Sequence, residues 1–139
     1  MIVAKDAITD YIPHRPPFVM VDHLIAATHE RFESDFMVMA DNVLVNDGFF
    51  QETGLIEHIA QTCAASFGYL DREEGGEPKI GFIGAVSKVL VTGLPPAGAT
   101  IRTVVTPLHR LGNIYLVKGE SFLDGRILLG CELKIVVSE

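Results

Sequence analysis

The sequence predicts an α+β fold: a curved antiparallel sheet wrapped around one long central helix. Three observations predict it. Gln51 to Leu70, QETGLIEHIAQTCAASFGYL, is the one long segment with helical spacing, its apolar residues falling at Ile56, Ile59, Ala60, Cys63, Ala64 and Phe67. The opposite face, Thr62, Ala65, Ser66 and Gly68, is small enough for a second layer to approach closely. From Ile80 onward the pattern changes to period two, the alternation of half-buried strands.

The elements follow in order. Tyr11-Ile12-Pro13-His14-Arg15-Pro16-Pro17 carries too many prolines for a regular helix. Phe18 to Ala27 is β-branched and apolar and reads as a strand. Phe32 to Met39 alternates, with Phe32, Ser34, Phe36 and Val38 on one side, and pairs with it as a hairpin. Asp41-Asn42 and Asn46-Asp47-Gly48 mark Ala40 to Phe50 as a loop leading to the helix. Thr53 is the expected N-cap, with Asn46 or Asp47 capping an earlier start. Asp71 to Lys79 reads as an exposed acidic loop. Ile80 to Thr92 is one long strand interrupted at Gly81 and Gly84, and GLPPAG, Gly93 to Gly98, turns the chain. Thr100 to Pro107, Ile114 to Leu123 and Ile127 to Val137 are the remaining strands, separated by turns at Leu111-Gly112-Asn113 and Asp124-Gly125. In the last strand Ile127, Leu129, Cys131, Leu133, Ile135 and Val137 share one face.

The 139 residues fit one domain with one core. A formal net charge of −7 argues against a general binder of nucleic acid or anionic membrane. No apolar run approaches the roughly 20 residues that span a bilayer. MIVAKDAITD has no signal-peptide apolar region, so a cytoplasmic protein is expected. Cys63 and Cys131 form no CxxC pair and sit at apolar positions, as reduced core thiols do. No spacing of His, Cys and Asp suggests a metal site.

Glu57, His58 and Gln61 are polar groups on a helix expected to be buried, where such groups need partners or a task. Around them, several motifs resemble the β-hydroxyacyl-acyl-carrier-protein dehydratases. Ile12-Pro13-His14-Arg15-Pro16-Pro17-Phe18-Val19-Met20-Val21-Asp22 resembles that family's N-terminal segment. Leu55-Ile56-Glu57-His58-Ile59-Ala60-Gln61 resembles its central-helix motif, E-x-x-A-Q. Gly81 to Lys88 and Pro95-Pro96-Ala97-Gly98 resemble its first strand after the helix and the following turn. The resemblance implies the hotdog fold. It implies removal of water from a 3-hydroxyacyl thioester to give a trans-2-enoyl product, with no metal and no organic cofactor.

The family pairs a loop histidine, which takes the C2 proton, with a helix carboxylate that handles the departing hydroxyl. On that resemblance Glu57 is the acid/base group and Gln61 positions it, the i, i+4 spacing putting both on one face. His58 is a further catalytic candidate. Gly54 and Leu55 would offer backbone amides to the thioester carbonyl, and Phe50, Phe82 and Gly84 would line the substrate site. The loop histidine is missing: Asn42-Val43-Leu44-Val45-Asn46 stands in its place, and no histidine occurs from Glu30 to Glu57. A hotdog subgroup of aryl-polyene-type pigment clusters resembles this chain in that respect, and its members can act as the partner subunit of a catalytically complete hotdog. The implied partners are an acyl carrier protein and a second hotdog chain, identical or different. A non-catalytic partner subunit and a hotdog thioesterase stand as alternatives.

His14 and His23 are expected to make structural hydrogen bonds, and His29 and His109 to be solvated in turns. Arg15, Lys79, Lys88, Arg102 and Arg110 are either a patch for an acidic carrier or scattered surface charge.

Overall fold

The computed structural model describes residues 1–77 and 79–138. A 3₁₀ turn, Lys5–Asp10, leads into β1 (His23–Ala27) and β2 (Phe32–Met37), and then a small hairpin of β3 (Val45–Asn46) and β4 (Phe49–Phe50). The helix α1 (Glu52–Glu73) follows. Four long strands complete the chain: β5 (Gly81–Val91), β6 (Thr100–Leu111), β7 (Ile114–Leu123) and β8 (Arg126–Val137). The six main strands form one antiparallel sheet in the order β1-β2-β6-β7-β8-β5. It curls around α1, as the period-two pattern on one side of a buried helix requires.

Helix and sheet meet through Leu55, Ile59 and Cys63 on α1 and Phe32, Phe36, Ile101, Val105, Val117, Leu129 and Leu133 on the strands, all buried. Full burial of each such aliphatic side chain contributes roughly 1.5–3 kcal/mol. Two glycines set the closeness of the layers. A Cβ on Gly119 would lie 2.4 Å from Ile59 Cγ2, so the helix rests on the β7 backbone there. A Cβ on Gly68 would lie 2.7 Å from the Tyr11 carbonyl oxygen, so the N-terminal segment crosses the small-residue face. A second apolar cluster of Val3, Ile8, Ile12, Val21, Leu24 and Ala65 sits under that crossing.

The structure corrects several boundaries. The first strand begins at His23, not Phe18, because helix side chains rather than a neighbouring strand take up the backbone of residues 18–20. Gln51, not Thr53, is the N-cap residue; it makes no side-chain cap, and its amide bonds instead to the carbonyls of Asn46 and Phe49. The loop before the helix contains the β3–β4 hairpin, turned by Asp47 and Gly48 at positive φ. The helix runs into the expected acidic loop as far as Glu73, where Arg72 lies 4.4 Å over the Tyr11 ring and donates to the Asp10 carbonyl. Pro78 of that loop lies outside the described residues.

β6 continues past Pro107 by way of a bulge between Pro107 and His109. In β8 the alternation slips. A bulge opposite Ser121 and Phe122 inserts Leu128, so Leu128 is buried and Ile127 is 41% exposed.

β5 is an edge strand whose residues from Gly81 to Leu90 are all exposed, Phe82 and Leu90 most of the large apolar ones at 60% and 68%. Among the described residues no helix is long and apolar enough to cross a membrane. Cys63 and Cys131 are buried free thiols; burial pushes Cys63 far above the usual thiol range and Cys131 up to about 11.

Candidate active site

The three polar residues of the helix divide into two tasks. Two of them grip the chain that enters β1. Gln61 accepts from the Met20 N–H at 2.6 Å through Oε1 and donates to the Phe18 carbonyl at 2.7 Å through Nε2. His58 donates from Nδ1 to the Met20 carbonyl at 2.6 Å. Both side chains are fully buried. A backbone segment that would otherwise be buried without partners is satisfied by helix side chains one turn apart.

The third residue, Glu57, reaches outward. Its side chain is 35% exposed. Gln61 Nε2 donates its second hydrogen to Glu57 Oε1 at 2.9 Å. The amide can adopt only one orientation here: the Met20 N–H demands an oxygen, so the nitrogen must face Phe18 and Glu57. Glu57 Oε1 is therefore held as an acceptor, leaving Oε2 as the oxygen free to exchange a proton.

His14, expected from sequence to make a structural hydrogen bond, completes the cluster. Its Nε2 lies 3.5 Å from Glu57 Oε1, and its side chain is 29% exposed. Its Nδ1 is buried with no partner. The turn that carries it is braced by Arg15, whose Nη1 donates to the carbonyls of Ile12 at 2.9 Å and His14 at 2.7 Å. The missed signal was the pair His58 and Gln61: helix side chains that grip residues 18–20 draw the preceding histidine alongside Glu57.

His58 does not join Glu57 at the surface, nor does it point outward. Its ring is fully buried, stacked on Phe36 at 5.7 Å between centroids. Its backbone carbonyl accepts from Thr62, whose hydroxyl meets Ser34 at 2.7 Å. Desolvation lowers its pKa from the ordinary 6.5 to about 4, against the opposing pull of the Met20 carbonyl and the Asp35 charge. It is a neutral imidazole at physiological pH, with Nε2 unpartnered.

The other expected site residues are dispersed. The amides of Gly54 and Leu55 donate to the Gln51 carbonyl at 2.9 and 3.1 Å, so in this conformation they are not free for a thioester oxygen. Phe50 is fully buried against Phe36, and a Cβ on Gly54 would lie 2.5 Å from its ring. Both act as packing. Phe82 and Gly84 sit on β5, at the opposite end of the sheet order from β1, and do not join the cluster.

Of the five cations, Arg15 and Lys79 line one cleft of about 510 Å³ together with Arg72. Lys88 pairs with Glu132, Arg102 with Glu33, and Arg110 lies over the Tyr115 ring. They are not one patch. His23 bonds Asp35 at 2.7 Å, and exposed His29 meets Glu74. Among the described residues no group of three His, Cys, Asp or Glu is arranged to hold a metal ion.

Comparison with known proteins bears on this arrangement. The ApeP-like family, described as ApeP dehydratase, matches residues 6–137. The chain belongs to that family. An ApeP-like chain with this helix is also similar to 3-hydroxyacyl-(acyl-carrier-protein) dehydratase FabZ of Oceanobacillus iheyensis, with 29% identity over 140 residues and 94% of each chain covered. Among solved structures, the dehydratase heterocomplex ApeI:P from Xenorhabdus doucetiae superimposes with a TM-score of 0.86 at 20% identity, covering 95% of this chain and 91% of that one. A hypothetical thioesterase with coenzyme A from Streptococcus pneumoniae gives 0.67 at 10% identity, covering 84% of each. These likenesses establish the hotdog fold, an α+β sheet curled around one helix.

Proposed function

We propose that this ApeP-like protein, acting as a single hotdog domain, is a dehydratase for 3-hydroxyacyl thioesters borne by an acyl carrier protein, releasing water to give the trans-2-enoyl thioester. One observation carries the reading: a solvent-accessible carboxylate, Glu57, anchored through Oε1 by a fully buried amide. The C2 proton of a thioester is weakly acidic, so its removal needs a positioned base. Glu57 Oε2 is such a group, and Gln61 fixes its direction. His58 positions rather than touches, since its ring cannot meet a substrate. The FabZ relative's name supports the substrate class. No cofactor is required for the chemistry.

A second reading is supported by β5. An 11-residue edge strand with exposed Phe82, Val89 and Leu90 is a surface for pairing with another strand. The Glu57 cluster also lies open at the surface of the single chain. Docking a second hotdog on β5 would bury that edge, and a histidine-bearing partner would supply the group this chain lacks. In that reading the chain is the partner subunit of a heteromeric dehydratase.

The test is to incubate the pure protein with a 3-hydroxyacyl carrier protein and follow enoyl product by mass. Turnover that disappears in Glu57→Ala supports the first reading. Turnover only after a histidine-bearing hotdog is added supports the second. Release of free acid identifies a thioesterase, and no product under any condition refutes the dehydratase reading.

A further inference from the structure

The Glu57 cluster contains a second group able to move a proton. We infer that His14 is the catalytic partner of Glu57, supplying the second proton-handling group from within the same chain, with the roles of histidine and carboxylate exchanged relative to the loop-histidine pattern. This rests on the dehydratase reading above and assigns its second residue.

Dehydration removes a proton from C2 and a hydroxyl from C3, so two proton-handling groups must face adjacent carbons. His14 Nε2 and Glu57 Oε1 are 3.5 Å apart, and both side chains are part-exposed. Of the two ring nitrogens only Nε2 can meet a substrate, because Nδ1 is buried and unpartnered. Gln61 already holds Glu57 Oε1 as an acceptor, so the nitrogen facing it carries the hydrogen. The roles follow. Glu57, as carboxylate, takes the C2 proton through Oε2. The C2 electron pair forms the C2–C3 double bond as the C3–O bond breaks. The Nε2 proton of His14 goes to the departing hydroxyl, which leaves as water. Glu57 then returns the C2 proton to Nε2, and the pair is restored with no net change. The scaffold is rigid enough for this: Pro13, Pro16 and Pro17 limit the backbone, and Arg15 clasps the two carbonyls flanking Pro13, those of Ile12 and His14.

His14→Gln separates chemistry from structure. The glutamine amide reaches toward the Nε2 position and can still donate to Glu57, but it cannot deliver a proton. His14→Gln and Glu57→Gln would be compared with the parent chain, alone and with a histidine-bearing hotdog added, on 3-hydroxyacyl carrier protein. Thermal unfolding would confirm that each variant is folded, and His14→Asn serves if His14→Gln is not. The inference expects the folded His14 variant to lose about 100-fold in kcat with little change in KM. Activity within a factor of about three of the parent overturns the role of His14 and leaves the dehydratase reading intact. So does turnover that appears only with the added partner and is indifferent to the His14 variant. Absence of turnover by the parent in both settings overturns the reading itself, and the inference with it.

Discussion

His58 makes the stability of this protein depend on pH in a direction that can be worked out in advance. Burial lowers its pKa in the folded state from the ordinary 6.5 to about 4. On acidification the unfolded chain therefore takes up the proton first. The contribution of the neutral ring is fully present above about pH 6.5 and is lost as pH falls toward 4. A displacement of that size corresponds to roughly 3 kcal/mol. His58→Asn supplies the comparison: its amide can donate to the Met20 carbonyl in place of Nδ1, but it does not titrate. At neutral pH the variant should be less stable by about 1–3 kcal/mol, through lost volume against Phe36. Denaturant unfolding of both proteins at steps from about pH 7 down to about pH 4 measures the difference. The gap should close as the medium is acidified. Asp22 acts in the opposite sense. Desolvation raises its carboxyl, so its contribution is greatest in acid and is lost as pH rises through its folded value. That term is common to both proteins and cancels. Parallel stability curves for His58 and its variant would refute the assignment of the buried ring as a neutral clamp.

Other substitutions probe neighbouring contacts. Gln61→Glu replaces the two N–H donors with oxygen and sets it against the Phe18 carbonyl and Glu57; destabilisation by about 3 kcal/mol at neutral pH, partly recovered in acid, should appear in urea titrations. Gly68→Ala drives a Cβ to 2.7 Å from the Tyr11 carbonyl oxygen, a backbone atom, and should lower stability by about 1–3 kcal/mol, read as a fall in Tm by calorimetry. Leu90→Lys on the exposed β5 edge should leave chain stability within about 0.5 kcal/mol while shifting sedimentation toward the monomer. An unchanged sedimentation profile would remove β5 as the pairing edge.

The fold was legible where one pattern decided the outcome. Ile101, Thr103 and Val105 alternate and are buried as expected, and the α1 face with Ile59 and Cys63 packs on the sheet. Readings failed where a distant residue intervened. Phe18 to Met20 has the composition of a strand, but its hydrogen bonds go to His58 and Gln61, which nothing local reveals. The helix outlasts its apolar spacing because Arg72 finds Tyr11 and Asp10 in the N-terminal segment. Ile127 turned outward because an extra residue entered β8, a change to which period-two counting is blind. At the site, Glu57 and Gln61 were legible as an i, i+4 pair and their contact is direct. His14 was not, because its approach to Glu57 depends on the grip that His58 and Gln61 have on the chain that follows it.

That grip explains why one carboxylate can sit on so buried a helix. An amide has two hydrogens to give and one oxygen to receive them, and Gln61 uses all three: Phe18, Glu57 and Met20. Anchoring the strand entry and aiming the acid are thus one act of one side chain. Substituting Gln61 by an apolar residue would leave the Met20 N–H buried without a partner, and it would also free Glu57 to turn into solvent. Stability and proton transfer should therefore fail together at Gln61. At Glu57, whose loss leaves the Phe18 and Met20 bonds in place, they should separate. A protein built only to hold a helix against a sheet would need Gln61 but not Glu57. The proposed proton-transfer role predicts both, with His14 at 3.5 Å from Glu57.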